Sequence, residues 1–140
     1  MANQTPTREK FTQLEHTADI KFQVSGDSIN DIFENTTLAL ASYLSDKKIS
    51  PKKSKIINVS GQDTESLLYK FIEELLYLID AEHFITGKAK VSVQGYNLKA
   101  ELFGDDSKNY EINQVKAATY AEMEIKKSHN GIKAIFVIDV

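Results

Sequence analysis

Apolar and polar residues alternate strictly through Ile20-Lys21-Phe22-Gln23-Val24, the pattern of a half-buried strand. Phe11 to Glu15 reads as a short strand before it, and Gly26-Asp27-Ser28 breaks the run and offers helix caps. From Ser28 to Ser45 the spacing changes. Ile29, Ile32, Phe33, Thr36, Leu40, Tyr43 and Leu44 recur at helical intervals, so one face of this helix should lie on a sheet. Residues 46–55 form a lysine-rich loop with Pro51, followed by a short strand from Ile56 to Val59. Asp63 or Thr64 caps a second helix running to about Glu82. Its face of Leu67, Leu68, Phe71, Ile72, Leu75, Leu76, Leu78 and Ile79 is broad enough for the centre of a core.

The remainder reads as strands. Ala89, Val91 and Val93 alternate between Lys88 and Gln94. Gly95-Tyr96-Asn97 turns the chain, and Leu98, Ala100 and Leu102 answer. Residues 104–109 read as a polar loop. Val115 to Ser128 and Ile132 to Val140 flank Asn130-Gly131, a strong hairpin signal. Consecutive hairpins imply antiparallel pairing, and two apolar-faced helices need a sheet to cover. The expectation is a two-layer α+β domain over residues 11–140, with two helices packed on a largely antiparallel β-sheet. Residues 1–10 read as a disordered polar tail.

Composition narrows the function. The chain of 140 residues has no cysteine, which removes disulfides, thiolate metal sites and a cysteine nucleophile. The polar start gives no signal peptide, and no apolar run is long enough to span a membrane, so a soluble cytoplasmic protein is expected. There are 17 Lys+Arg against 20 Asp+Glu, and Arg8, in the tail, is the sole arginine. A fold without arginine lacks the bidentate fork that grips phosphates and guanines. The glycines form neither a P-loop nor a G-x-G-x-x-G. Autonomous nucleotide chemistry is not expected. The lysines of 46–55 read first as a solvated connection, and alternatively as a docking patch for an acidic partner or RNA.

Two places carry candidate chemistry. Leu14-Glu15-His16-Thr17-Ala18-Asp19-Ile20 crowds an imidazole, a hydroxyl and two carboxylates at the mouth of a strand. That stretch reads either as a site on a rigid element or as a polar turn capped by Thr17 and Asp19. At the other end of the chain, a two-residue Asn130-Gly131 loop would set Glu122 across from Asp139. Like charges so placed repel, and a hard cation such as calcium or magnesium would relieve the conflict. If Val140 is the native terminus, its α-carboxylate adds an oxygen. A one-residue slip would undo this register.

Taken together, Leu14-Glu15-His16-Thr17-Ala18-Asp19, the helix from Leu67-Leu68 to Leu76-Tyr77, Val115-Lys116-Ala117-Ala118-Thr119-Tyr120 and the closing Asp139-Val140 resemble four motifs of the archease family, in order and at fitting spacing. The resemblance covers the chain from about Phe11 to Val140. It implies an accessory protein, not an enzyme, that activates the RtcB-type RNA ligase of tRNA splicing and RNA repair. Such a protein promotes GMP attachment from GTP to the ligase, and so multiple turnover. It further implies a divalent cation, calcium first and magnesium or manganese as alternatives, on Asp19, Asp139 and Val140. Lys116 and His16 join the two aspartates as functional residues. GTP would be bound by the ligase, and tRNA met only through it. Where the family often has histidine after T-Y this chain has Ala121. Where it often has G-E and an upstream histidine, this chain has Gly104-Asp105 and Tyr110. The resemblance therefore carries no histidine ligand to those places. Two rival classes stand beside it. One is a chaperone-like interaction module. The other is a small metal-dependent phosphoesterase using Asp19, Asp139 and His16.

Overall fold

The computed structural model describes residues 9–14 and 19–140. Its elements in order are β1 (Phe11–Leu14), β2 (Asp19–Gly26), α1 (Ile29–Leu44), β3 (Lys53–Ser60), α2 (Thr64–Glu82), β4 (Phe84–Gln94), β5 (Asn97–Asp106), a 3₁₀ turn (Ser107–Asn109), β6 (Ala117–Ser128) and β7 (Gly131–Asp139). The α+β class and both helices stand as expected. The strands, however, divide between two antiparallel sheets, in the orders β1-β2-β7-β6 and β3-β5-β4. Hairpin order alone cannot reveal this division, because it depends on β2 pairing with the last strand of the chain.

Both helices start where their side chains can satisfy the first free N–H groups. The Asp31 N–H donates to Ser28 Oγ (3.2 Å), and the Ser28 N–H donates back to Asp31 Oδ2 (3.3 Å). At α2 the Ser66 N–H donates to Asp63 Oδ1 (2.7 Å), and the Asp63 N–H donates to Ser66 Oγ (3.1 Å). The α2 helix stops at His83, which adopts the left-handed conformation (φ 54°) and donates its N–H to the Leu78 carbonyl. That histidine is a helix terminator.

The two helices knit the sheets together. α1 touches β1, β2 and β7 on one side and β4 on the other, while α2 touches β3, β4 and β6. Phe22, Phe136 and Ile138 from the first sheet, Leu98 and Leu102 from the second, and Phe33, Phe71 and Ile72 from the helices share one buried cluster. Phe22 stacks on Phe136 (centroids 5.3 Å apart), and Phe33 meets Phe71 edge-on (5.4 Å). α1 also closes the outer edge of β4. The Val91 N–H donates to Glu34 Oε2 and the Val93 N–H to Asn30 Oδ1, each at 2.8 Å. An open strand edge invites pairing with other chains, and this one is covered.

Two stretches read as loops are strands. Residues 53–55 extend β3, and residues 104–106 extend β5 as far as Asp106. Gly104 is required there. A Cβ at that position would lie 1.9 Å from the Ile85 carbonyl oxygen. No helix among the described residues is long and apolar enough to cross a membrane.

Candidate functional site

β2 and β7 pair antiparallel with Asp19 directly opposite Asp139. Directly opposite side chains share a face and have Cβ atoms about 4.5–5.5 Å apart. On its other side Asp139 faces Ala117 of β6, whose methyl group crowds neither carboxylate. Lys116, just before β6, donates its main-chain N–H to the Asp139 carbonyl (2.8 Å). Val140 follows Asp139 and packs, partly buried, against the core cluster. The fold thus gathers Asp19, Lys116, Asp139 and Val140 at one end of the four-stranded sheet. His16 lies outside the described residues, as does the tail through residue 8.

The pairing of Glu122 with Asp139 is overturned, for two local reasons. The hairpin closes one residue earlier than expected. Its loop is His129-Asn130 and Ser128 pairs with Gly131, because Ser128 Oγ accepts the Asn130 N–H (3.2 Å) and donates to the Gly131 carbonyl (3.4 Å). The strand then bulges. Between Thr119↔Val137 and Glu124↔Ile135, β6 advances five residues while β7 advances two. Glu122 sits in this bulge with φ 58°, a conformation that a non-glycine residue adopts at a cost. Its carboxylate receives the Lys21 ammonium of β2 at 2.6 Å. Since β7 lies between β2 and β6, this pair spans β7. It passes over Val137, which is buried although it faces away from Phe136 and Ile138. On the opposite face of the bulge Tyr120 stacks flat on Tyr69 of α2 (4.1 Å). Burial first, then Glu73, pushes the Tyr69 phenol above its ordinary value.

Beside Lys116 a cleft of about 550 Å³ opens between α2 and residues 112–118, with Glu73, Tyr77 and Asp80 on its helical wall. Glu73 and Asp80 belong to the polar side of α2. They are exposed, and they also border the cleft that Lys116 lines. The Lys21–Glu122 pair and this cleft escaped sequence reasoning, because the partners lie far apart along the chain.

Two of the positions that depart from the archease pattern, Asp105 and Tyr110, are structural. Asp105 is buried, and its carboxylate accepts from Tyr110 Oη (2.7 Å), the Asp106 N–H (2.8 Å) and Asn109 Nδ2 (3.5 Å). The tyrosine hydrogen bond, more than the others, holds that carboxyl below its usual range. Tyr110 Oη in turn accepts the Ser50 N–H (2.9 Å) and fixes the loop after α1.

Chemically, the sheet end offers carboxylate oxygens and no sulfur, a donor set suited to a hard cation. Among the described residues no three His, Asp or Glu side chains converge. The candidate set is two aspartates completed by Val140, whose α-carboxylate contributes where the chain ends there.

Comparison with known proteins places the chain in a family. Residues 11–140 match the model of the "Archease protein family (MTH1598/TM1083)". A protein archease of Sulfurisphaera tokodaii is 36% identical over 138 residues, covering 94% of this chain and 99% of that one. One from Pyrococcus furiosus is 40% identical over 130 residues, covering 87% and 92%. Among solved structures, Methanobacterium thermoautotrophicum protein 1598 superposes with a TM-score of 0.78 at 28% identity, covering 94% of this chain and 99% of that one. A Thermotoga maritima protein described as an archease and possible chaperone shares the fold, with a TM-score of 0.69 at 20% identity and coverage of 98% and 100%. The chain belongs to the archease family.

Proposed function

We propose that this chain activates an RtcB-type RNA ligase, promoting attachment of GMP from GTP to the ligase and so its repeated turnover in tRNA splicing and RNA repair. The observation that carries the reading is the register that sets Asp19 opposite Asp139 and ties Lys116 to the Asp139 main chain. These are the positions to which the archease resemblance assigns function. The same reading places the protein in the cytoplasm.

In this reading the two aspartates and Val140 hold a hard divalent cation, calcium first, with magnesium or manganese as alternatives. When bound, the cation supplies concentrated positive charge to phosphate oxygens or to acidic groups of the ligase. The chain's own residues do the rest. Asp19 and Asp139 present oxygens from two hydrogen-bonded strands, so their spacing is set by the ladder and not by a loop. Lys116 offers a point charge with three donors, suited to a phosphate or an acidic ligase residue. With no arginine among residues 9–140 and no phosphate-binding glycine loop, GTP and RNA are left to the ligase.

The test is GMP attachment to the cognate ligase over time. Wild-type protein should accelerate it and should consume no GTP alone. Asp19→Ala, Asp139→Ala and Lys116→Ala should each bring the rate down to that of the ligase alone while keeping wild-type circular dichroism. Equal rates with and without wild-type protein would falsify the reading. Full activation by Asp19→Ala would favour a chaperone-like module that needs no metal carboxylates, and turnover of a phosphate ester by the protein alone would favour the phosphoesterase.

A further inference from the structure

A second feature lies away from the aspartates. A groove of about 720 Å³ runs between the C-terminal half of α1, the loop that follows it, and the strands β4 and β5. Leu38, Ile49 and Phe103 supply apolar lining, and Lys47, Lys48 and Lys88 stand on its rim, with Asp46 as the one acidic lining residue among the described residues. The walls are held in place. A Cβ on Gly87 would meet the Ile49 side chain at 3.0 Å, so the glycine lets the loop seat against β4. The Tyr110 hydroxyl fixes the loop through the Ser50 N–H.

Charge identifies the occupant. Residues 46–55 carry five lysines against one aspartate, in a chain whose other residues carry twelve basic against nineteen acidic side chains. The groove is therefore bordered by the basic segment of an otherwise acidic protein. We infer that it docks an acidic peptide segment with an apolar anchor, carried by the ligase itself. The anchor fills the aliphatic slot and the flanking carboxylates meet the three lysines. RNA fits less well. The Lys88 ammonium lies over the Phe103 ring, 5.7 Å from its centroid, and competes with a base for that face. None of the described lining residues is an arginine that could fork a phosphate.

The inference rests on the ligase reading and adds a division of labour to it. Phe11, at the groove, pairs with Val24, five residues along β2 from Asp19. At about 3.4 Å per residue the two features are offset by roughly 17 Å along β2. One ligase molecule can occupy both, the groove raising the effective concentration of the aspartate end at its target.

The experiment measures binding to the cognate ligase by calorimetry and guanylylation as a function of activator concentration. The variants are Lys47→Glu/Lys48→Glu, Lys88→Glu and Ser42→Trp. Ser42 is exposed and lines the groove, so the tryptophan fills the slot without touching the lysines, and its folding is independent of the charge reversals. Each variant should weaken binding about tenfold or more and shift half-maximal activation by the same factor, with the plateau rate unchanged. Wild-type binding should weaken as salt rises. Asp19→Ala should do the reverse, lowering the plateau at near-wild-type affinity. Wild-type affinity in all three variants, beside a wild-type protein that binds and activates, overturns the groove and leaves the ligase reading standing. A lowered plateau at unchanged affinity overturns docking as its role. Loss of binding to a fluorescent single-stranded oligonucleotide, with ligase affinity intact, assigns the groove to RNA. A wild-type protein that neither binds nor activates the ligase removes both.

Discussion

Replacing Asp139 by asparagine should push stability in opposite directions with and without metal. Asp139 stands directly opposite Asp19, and like charges in that position on antiparallel strands cost about 0.2–1 kcal/mol. Asparagine is nearly isosteric. It keeps the ladder to β2 and the carbonyl that accepts the Lys116 N–H. In a chelator the variant should therefore gain that amount, a rise in melting temperature of about 1–4 °C for a domain of this size. Calcium at a hundred times its dissociation constant should stabilise the wild type by about 2.7 kcal/mol, or roughly 10 °C. The variant, with one of its two acidic side-chain ligands neutralised, should lose most of that gain. Scanning calorimetry in EDTA and in calcium reads both quantities. A variant less stable than wild type in EDTA would mean that the Asp139 charge is held by a favourable partner and not opposed by Asp19. A calcium shift equal to that of wild type would mean that the cation does not use Asp139.

Two further outcomes follow from buried hydrogen bonds. The Tyr110 hydrogen bond is the largest reason that the Asp105 carboxyl is held below the usual carboxylate range, so Asp105 stabilises the fold fully above the unfolded carboxylate value, about pH 4, and loses that contribution as pH falls through its lowered folded value. Tyr110→Phe should move the carboxyl back up, as read by NMR titration of Asp105. The stability deficit of the variant should shrink at low pH to the pH-independent share of the Ser50 hydrogen bond, and an unmoved titration would remove Tyr110 as the cause. Glu34→Ala leaves the Val91 N–H without its acceptor and should cost about 1–3 kcal/mol, seen as a lower urea midpoint at unchanged slope. Glu34→Gln, which retains an accepting oxygen, should recover most of it, and an alanine variant as stable as wild type would show that the edge needs no cap.

What sequence made legible here was what is locally encoded. Ser28 and Asp63 are residues of capping type and mark helix starts without reference to the rest of the fold. The apolar faces that follow bury Phe33 and Leu40 in α1 and Phe71 and Leu75 in α2, as their spacing predicts. The strand limits were less legible because pairing overrides composition. Lys53, Ser54 and Lys55 look like loop, yet they pair with Gly104, Phe103 and Leu102. Gly104-Asp105 looks like a turn, yet the glycine is there for close approach to the neighbouring strand. The partner of Asp139 was the hardest to read. Counting outward from Asn130-Gly131 led to Glu122, whereas the archease resemblance named Asp19 beside it, and the register sets Asp19 opposite Asp139. The count failed because a serine hydroxyl moved the turn by one residue. The bulge then displaced Glu122 further, toward a lysine 101 positions away.

The bulge also bears on why the aspartates meet at all. A strand slipped by one residue turns every side chain to the opposite face, which here would drive Asp139 into the core and Ile138 out of it. Phe136 and Ile138 are fully buried on the inner face, and Val137 is buried on the outer one beneath the Lys21–Glu122 pair. Three consecutive residues before Asp139 are thus each held in place, two by the core and one by the bulge that crosses over β7. On the outer face of β2, Lys21 anchors that cover one row from Asp19, and in β7 Val137 lies under it one row from Asp139. The left-handed backbone at Glu122, costly by itself, places the carboxylate that makes this cover. Strain in the bulge and precision at the aspartates are two parts of one arrangement.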